Sequence, residues 1–214
     1  MNNIIFNELE STNTYLKNHY KKYKDRDCIV ALNQTMGRGR FDRVWESQRD
    51  LTFSWLFINN KALHHMIAPL AVCYALEEIG YAPMIKWPND VYLNGKKLSG
   101  VLIENICTKD NTYTIVGIGC NTSYKHDYAY VDVDRMELLE RIEEKYISLM
   151  NYDLEQLHKS YRLYSNTLNK EITFKGDRYK IVDYAYSGEI IIKNERTCLK
   201  VSANEIDIKS CLIF

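Results

Sequence analysis

An arginine-rich loop is the first segment of this sequence that could do chemistry. It runs from Gly37 to Trp45 with the sequence GRGRFDRVW and has little hydrophobic periodicity. Guanidinium groups and backbone amides freed by glycine both bind carboxylates and phosphates. The patterns GxxxxGK(S/T) and GxGxxG are absent, which excludes a Walker loop and a dinucleotide fingerprint. On its own, the segment is either an anion-binding loop or a basic surface loop.

Two further polar clusters lie downstream of this loop. KWPND at 86–90 is followed by NGKKLSG at 94–100, and GIGCN at 117–121 ends an apolar run. Asn-Gly favours a type I′ hairpin turn, which would bring the two lysine-containing segments together. Taken singly, the second cluster is typical of a solvated turn and the third of a bulge or tight bend.

Glycine is otherwise scarce in this chain. It has 9 Gly and 3 Pro among 214 residues, about half the usual share. Most of the glycines fall in the three clusters: Gly37, Gly39, Gly95, Gly100, Gly117 and Gly119. Because glycine reaches φ > 0 and lets a ligand approach the backbone closely, we expect the chain to need glycine in these stretches.

Composition excludes several classes of protein. The chain is 46% hydrophobic and 26% charged, and 28 Lys and Arg balance 28 Asp and Glu, so we expect a globular protein without general affinity for nucleic acid. No apolar run approaches the ~18 residues of a membrane span, and MNNIIFNELEST is no secretory signal. Six cysteines without zinc-site spacing indicate reduced, mostly buried thiols and a cytoplasmic protein: Cys28, Cys73, Cys107, Cys120, Cys198 and Cys211.

The strands and helices that must position these clusters are predicted to form an α+β fold. Hydrophobic patterns predict strands at 4–6, 28–32, 51–58, 91–93, 98–106 and 113–118, and helices at 12–23, 63–79, 134–150 and 153–168. From residue 171 the pattern changes to short alternating segments, which predict a small antiparallel barrel. We therefore expect a first domain of residues 1–169, joined tightly to a β domain of residues 170–214.

In combination, the three clusters closely resemble the biotin protein ligase family. GRGRxxRxW, KWPND followed by KKLSG, and GIGxN stand in this order behind Ser11-Thr12-Asn13. The resemblance implies a mixed, largely antiparallel central sheet like that of class II aminoacyl-tRNA synthetases, with a C-terminal SH3-like domain. It also implies a two-step reaction that needs ATP and Mg²⁺. Biotin is activated as biotinyl-5′-AMP with release of pyrophosphate, then transferred to a lysine of a biotin carboxyl carrier domain.

The same resemblance implies a role for each matching residue. Lys97 would bridge the biotin carboxylate and the α-phosphate, Arg40 would join it in catalysis, and Asp90 would hold Mg²⁺ through water. Biotin would be bound by Ser11, Thr12, Asn13, Gln34, Arg38, Gly39, Arg40 and Lys97. The nucleotide would be bound by Arg38, Arg40, Arg43, Trp45, Lys86, Asn89, Asp90 and Asn121. Trp45 would stack on the adenine and Asn121 would read its edge.

Some of these residues also have a purely structural interpretation. Ser11 or Thr12 can cap the following helix, and capping is compatible with ligand binding. Trp87 is expected to pack rather than to contact a ligand. His64 and His65 have no cysteine or carboxylate partner nearby in the sequence, so we assign them no functional role.

The loop departs from the family pattern at Phe41-Asp42, where the usual second residue is glycine. Its loss removes φ > 0 freedom and adds a negative charge beside the arginines. Because Arg40, Arg43 and Trp45 keep their register, we expect loop closure to differ in detail and activity to be kept.

Other functions stay open at this point. A lipoate protein ligase or octanoyl transferase of the same fold and a non-catalytic biotin-binding protein are the two alternatives. Bifunctional family members carry an N-terminal winged-helix module, whereas Ser11 lies ten residues from the first residue here. We therefore expect a monofunctional ligase without specific DNA binding, and a homodimer is compatible with the resemblance.

Overall fold

A mixed seven-stranded sheet forms the centre of the molecule in the computed structural model, which describes residues 1–47 and 49–206. Its strand order is β1-β2-β3-β7-β6-β5-β4. The β1–β2 pair is parallel, and each of the other pairs is antiparallel. The strands are β1 (Asn2–Phe6), β2 (Asp27–Ala31), β3 (Leu51–Ile58), β4 (Met84–Lys86), β5 (Asp90–Leu93), β6 (Lys96–Cys107) and β7 (Thr112–Cys120).

Helices cover both faces of this sheet. They are α1 (Thr12–His19), α2 (His64–Glu78), α3 (Arg135–Leu149) and α4 (Leu154–Tyr164). Successive side chains of β3 pack alternately on the two faces of the sheet, as expected for a strand buried on both sides. Leu56 packs with Leu16 of α1 on one face, whereas Phe53 and Trp55 join the large core formed with α2, α3 and α4 on the other. The strand predicted at 51–58 is confirmed, and Leu51 to Phe57 are buried.

Local signals explain the elements nearest the polar clusters. Ser11 caps α1, because its Oγ accepts a hydrogen bond from the Thr14 backbone N–H at 3.5 Å. Asn94 and Gly95 have φ values of 50° and 78°, which confirms the predicted hairpin turn between β5 and β6.

The C-terminal segment forms a separate four-stranded antiparallel sheet. Its strands are β8 (Glu171–Phe174), β9 (Asp177–Tyr184), β10 (Ile190–Lys193) and β11 (Cys198–Val201), in the order β11-β10-β9-β8. Trp87 joins the two sheets, because its indole Nε1 donates to the Gly188 carbonyl at 2.8 Å. The domain boundary between residues 169 and 170 stays a prediction.

The largest differences from the sequence prediction are two helix ends and one short strand. The first helix ends at His19 and continues as a 3₁₀ turn over Tyr20–Lys22. Helix α4 ends at Tyr164 rather than at residue 168, because the Asn166 N–H donates to the Ile85 carbonyl at 2.9 Å and draws the chain alongside β4. Strand β4 was not predicted, since three residues are too few for a period-2 pattern.

The cysteines are only partly buried. Cys28, Cys73 and Cys120 are buried, and burial raises the pKa of each thiol. Cys107 and Cys198 are exposed, so the expectation of mostly buried thiols holds for the first three alone, while Cys211 lies outside the described residues. All five described cysteines are free thiols. None of the described helices is both long and apolar enough to cross a membrane.

His64 gives the core a testable pH dependence. Its ring is buried, with Nδ1 2.5 Å from the Tyr146 hydroxyl, and burial, helped by the charge of His65, lowers its pKa from 6.5 to about 4. Below pH 6.5 the unfolded chain therefore takes up a proton that the folded chain does not. We expect the free energy of unfolding to fall by about 2 kcal/mol between pH 7.5 and pH 5.

Urea unfolding of the wild type and of His64→Gln at both pH values checks this expectation. The variant should show a smaller difference between the two pH values. Some dependence should persist, since burial also lowers the pKa of His65. An identical pH dependence in the two proteins would remove His64 as its source.

Candidate active site

One cleft of about 1,100 Å³ brings the three sequence clusters together. It lies at the ends of β6 and β7 and is framed by the arginine loop, the β5–β6 hairpin and the start of α1. Every residue to which the resemblance assigns a role lines it: Ser11, Thr12, Asn13, Gln34, Arg38, Gly39, Arg40, Arg43, Trp45, Lys86, Asn89, Asp90, Lys97 and Asn121.

Three glycines form the floor of the cleft. Gly117 and Gly119 lie on the same face of β7, and Gly100 of β6 is the register partner of Gly119. A Cβ atom on Gly119 would lie 2.5 Å from Trp45 Cε2, and one on Gly117 would lie 2.0 Å from Asn13 Oδ1. This glycine floor therefore lets Trp45 and Asn13 rest directly on the strand backbone.

A chain of hydrogen bonds organises the end of the cleft next to α1. Gln34 Oε1 accepts from the Thr12 backbone N–H at 2.7 Å. Ser54 Oγ lies 2.6 Å from Asn13 Oδ1 and 2.7 Å from Thr12 Oγ1. Because an amide oxygen only accepts, the single Ser54 proton goes to Asn13. The Thr12 hydroxyl has two acceptors for its one proton, Ser54 Oγ and Gln34 Oε1, which lies 3.2 Å away. The polar side chains at this end thus have fixed orientations.

Glu104 anchors the same network from β6. Its Oε2 accepts from Asn13 Nδ2 at 3.0 Å, and its Oε1 lies 3.0 Å from Lys17 Nζ and 3.5 Å from Arg38 Nη2. Burial raises the pKa of Glu104, but the hydrogen bonds from Asn13 and Lys17 and the charges of Lys17 and Arg38 outweigh it, and the pKa lies below its usual value. An ionised Glu104 therefore ties the arginine loop to α1.

Lys97 stands at the centre of the opposite end of the cleft. Its Nζ lies 2.6 Å from Asp90 Oδ1 and 5.5 Å from the ring centroid of Trp45. The β5–β6 register shifts between Val91 and Tyr92, and such a bulge re-aims the neighbouring side chains. The hairpin thereby brings the ammonium group, the carboxylate and the indole within a few ångströms.

Two asparagines of the cleft brace the backbone around it. Asn121 Nδ2 donates to the Ala129 carbonyl at 2.9 Å, and its Oδ1 accepts from Lys125 Nζ at 3.2 Å. Asn89 Nδ2 donates to the Val101 carbonyl at 2.6 Å. Both the nitrogen and the oxygen of the Asn121 amide thus bind protein groups. The assignment of Asn121 to the adenine edge stays a prediction.

The two residues that open KWPND face different surroundings. Trp87 is buried and its indole donates to Gly188, in agreement with the expectation that it packs. Lys86 Nζ lies 5.0 Å from the ring centroid of Tyr92. The cluster therefore combines a structural residue with residues that line the cleft.

Arg40 connects the arginine loop to the C-terminal segment. Its Nη2 lies 3.5 Å from both the Ala203 carbonyl and Asn204 Oδ1. Burial, together with the charge of Arg43, lowers the pKa of Arg40, and the charge of Asp90 opposes this shift. The guanidinium is thus held between the hairpin and the end of the second sheet.

The arginine loop is itself a narrow hairpin. Gly39 N–H donates to the Arg43 carbonyl at 2.7 Å, and Trp45 N–H donates to the Gly37 carbonyl at 2.8 Å. At its tip Phe41 has φ 55° and ψ 42° and is 63% exposed. The residue with positive φ is therefore Phe41, whereas the family pattern predicts the need for such freedom at position 42.

The backbone at Phe41 leads to a test of loop order. A side chain with a Cβ costs about 1–2 kcal/mol at positive φ, and Phe41 already bears this cost. Branching at Cβ in Phe41→Val adds to it, so the variant should open the loop further and raise tryptic cleavage after Arg40 or Arg43 by about two- to fivefold. Phe41→Asn is the matched control, because asparagine tolerates this conformation. Equal cleavage rates in the two variants would show that backbone strain at position 41 does not govern the loop.

Sequence reasoning missed five residues that shape the cleft: Ser54, Glu104, Asp50, Lys125 and Asn204. Ser54 is the hydroxyl residue inside the apolar run LTFSWLFI, and Glu104 is the charge inside VLIENI. A polar side chain within a buried strand is a signal that could have pointed to both. The other three lie in loops, where the sequence offers no such signal.

Comparisons with known proteins agree with this geometry. A model of the biotin/lipoate A/B protein ligase family matches residues 5–121. The bifunctional ligase/repressor BirA of Bacillus subtilis is 28% identical over 212 residues, and the alignment covers 84% of this chain and 65% of that protein. BirA of Escherichia coli is 30% identical over 126 residues, which cover 55% of this chain and 39% of the relative. The chain thus spans less than two thirds of these relatives.

Solved structures match nearly the whole chain. The biotin protein ligase from Aquifex aeolicus, in complex with biotin and ATP, superposes with a TM-score of 0.74 at 30% identity, covering 95% of this chain and 97% of that one. The biotin acetyl coenzyme A carboxylase synthetase from Helicobacter pylori, with bound biotinylated ATP, has a TM-score of 0.71 at 24% identity over 94% of this chain and 99% of that one. At this lower identity, the Helicobacter structure shows only that the two proteins share a fold. With the family model and the Aquifex likeness together, this chain belongs to the biotin/lipoate A/B protein ligase family, and within it to the biotin protein ligases.

Proposed function

We propose that this protein activates biotin with ATP and transfers it to a lysine of a biotin carboxyl carrier domain. The observation that carries the proposal is the position of Lys97, beside Trp45 and Asp90, in a cleft whose two ends differ in chemistry. The end next to α1 offers fixed hydrogen-bond donors and acceptors, as a ureido ring requires. The other end offers an indole and cationic side chains, as a nucleoside triphosphate requires.

Charge is the main obstacle in the first step. A carboxylate oxygen of biotin attacks the α-phosphorus of ATP, forming a C–O–P linkage while the bond to the β-phosphate oxygen breaks and pyrophosphate leaves. Two anions must meet, so the site has to supply positive charge before orientation can help. Lys97 is placed to contact both reacting groups, and Arg38, Arg40 and Arg43 add guanidinium groups along the loop.

The second step consumes the mixed anhydride. The ε-amino group of the carrier lysine attacks the biotin carbonyl carbon, the bond to the phosphate oxygen breaks, and AMP leaves as an amide forms with loss of one proton. The arginine loop closes the cleft on one side, which shields the anhydride from water. The carrier domain follows from the resemblance and the cytoplasmic location from the cysteine pattern. Both stay predictions, as does the homodimer.

The residues present fit a magnesium ion that is held mainly by phosphate and water. Asp90 places a carboxylate at the nucleotide end, 2.6 Å from Lys97, and magnesium typically uses one or two carboxylates together with substrate phosphates. Within residues 1–47 and 49–206 no group of three or more His, Cys, Asp or Glu side chains could hold a metal. When bound beside Asp90, the ion would neutralise phosphate charge.

A transfer assay tests the proposal directly. The purified chain is mixed with ATP, Mg²⁺, an apo carrier domain, and labelled biotin, lipoate or octanoate. We expect ATP-dependent labelling with biotin and release of pyrophosphate. Transfer of lipoate or octanoate in place of biotin would point to the other ligases of this fold, and biotin binding without pyrophosphate release would show a non-catalytic binding protein.

A further inference from the structure

We propose that Lys125, paired with the buried Asp50, is a positioning residue that prepares the nucleotide end of the cleft. The inference rests on the proposed function, because it assigns Lys125 to the binding of ATP rather than of biotin. Neither residue belongs to the three sequence clusters. Lys125 lies in the loop after β7, and Asp50 immediately precedes β3.

The ammonium group of Lys125 contacts three protein groups. Its Nζ lies 2.5 Å from Asp50 Oδ2 and 3.2 Å from Asn121 Oδ1, and it donates to the Glu46 carbonyl. Two of its N–H donors thus go to Asn121 and Glu46, and Asp50 pairs with the ammonium by charge. Lys125 therefore acts as a tie between protein groups, although its side chain lines the cleft.

This tie joins the two segments that hold the candidate adenine residues. Glu46 and Asp50 lie between the arginine loop and β3, and Asn121 follows β7. Between them the ring centroid of Trp45 lies 5.6 Å from Lys125 Nζ. Because Lys125 can only donate, the Asn121 oxygen must face it, and the Asn121 amide nitrogen must face Ala129. One side chain thus sets the position of Trp45 and the orientation of Asn121.

Asp50 is itself held in place by burial and by hydrogen bonds. Its side chain is 0% exposed, against 18% for Lys125. Its Oδ1 accepts from the Thr122 backbone N–H at 3.1 Å and from Ser123 Oγ at 3.0 Å. A buried ion pair adds little net stability compared with apolar packing, but removal of one partner leaves a costly unpaired charge. The pair is therefore better explained by the geometry that it imposes than by stability.

Five variants separate this role from a structural one. Lys125→Met, Asp50→Asn and the double variant are compared with Lys109→Met, a control at the exposed β6–β7 turn. In ATP–pyrophosphate exchange, each of the first three should raise the KM for ATP by about tenfold, with the KM for biotin changed less than twofold. The effects should not add in the double variant, since both single changes break the same tie. Lys125→Arg should restore part of the ATP affinity.

Thermal unfolding and fluorescence provide readouts that do not depend on activity. Lys125→Met leaves Asp50 unpaired and should lower the Tm, whereas the double variant should regain much of it without regaining ATP affinity. Of the three tryptophans, Trp55 and Trp87 are 0% and 2% exposed, so acrylamide reports mainly on Trp45. Quenching should increase in the three variants and stay unchanged in Lys109→Met.

Three results would overturn the inference. An ATP KM that recovers along with the Tm in the double variant would make the pair purely structural. A raised KM in Lys125→Met with a normal KM in Asp50→Asn would mean that Lys125 contacts ATP directly. Unchanged quenching would show that Trp45 does not depend on the tie. If the wild type has no exchange activity while quenching responds as expected, the proposed function fails and the tie stands.

Discussion

Lys97→Met is expected to form biotinyl-5′-AMP at least about 10- to 100-fold more slowly than the wild type while keeping the fold. The side chain is placed to neutralise the charge that builds up as the biotin carboxylate approaches the α-phosphate. A charged hydrogen bond contributes about 1.5–3 kcal/mol, which corresponds to about 10- to 100-fold in rate, and more when it acts chiefly in the transition state. Single-turnover measurement of adenylate formation gives the rate of this step directly.

Lys96→Met is the matched control for this variant. Lys96 is the preceding residue of the same hairpin, and its Nζ donates to the His126 carbonyl at 3.3 Å on the exposed side. We expect its rate to stay within a few-fold of the wild type. Thermal unfolding of both variants checks that the hairpin is intact. A rate close to that of the wild type in Lys97→Met would remove Lys97 from the mechanism.

Two alanine substitutions in the glycine floor should impair the two ends of the cleft separately. Gly117→Ala places a methyl group 2.0 Å from Asn13 Oδ1 and must displace Asn13, whereas Gly119→Ala places one 2.5 Å from Trp45 Cε2 and must displace the indole. Forcing an extra methyl into a filled space costs about 1–3 kcal/mol, or about 5- to 150-fold in affinity. Gly117→Ala should therefore weaken biotin binding, and Gly119→Ala should weaken ATP binding.

Each of these variants is the control for the other. Calorimetric titration with biotin, and with a non-hydrolysable ATP analogue, gives both affinities for both proteins. A general distortion of β7 would lower all four affinities alike. That outcome, or a loss at the wrong end in either variant, would contradict the division of the cleft between biotin and nucleotide.

Prediction from sequence worked where the signal is local. The Asn94-Gly95 turn carries its own backbone preference, and the apolar run at 51–58 needs no partner to indicate a buried strand. The clusters were brought into one site by resemblance to a family, since no local rule places residue 37 beside residue 119. The structure adds the physical reason, which is that Gly100 and Gly119 are register partners beneath Trp45.

Other features could not be predicted because they depend on tertiary contacts. Asp50 and Lys125 lie far apart in the sequence, where each is typical of an exposed surface charge. Only the tertiary structure brings them together as an ion pair. The end of α4 is set by pairing of Ser165 with Ile85, which the local helical pattern does not contain. Phe41 adopts positive φ although its residue type disfavours it, since the hairpin around it closes through Gly39 and Arg43.

The contact of Arg40 with Ala203 and Asn204 couples the arginine loop to the segment that follows β11. A ligand that draws the guanidinium toward itself changes the free energy of the segment that Arg40 touches. By reciprocity, whatever orders that segment changes the affinity for the ligand by the same factor. Ligand binding in the cleft should thus alter amide hydrogen exchange near Ala203. Conversely, a substitution of Asn204 should change the affinity of the cleft for its ligand.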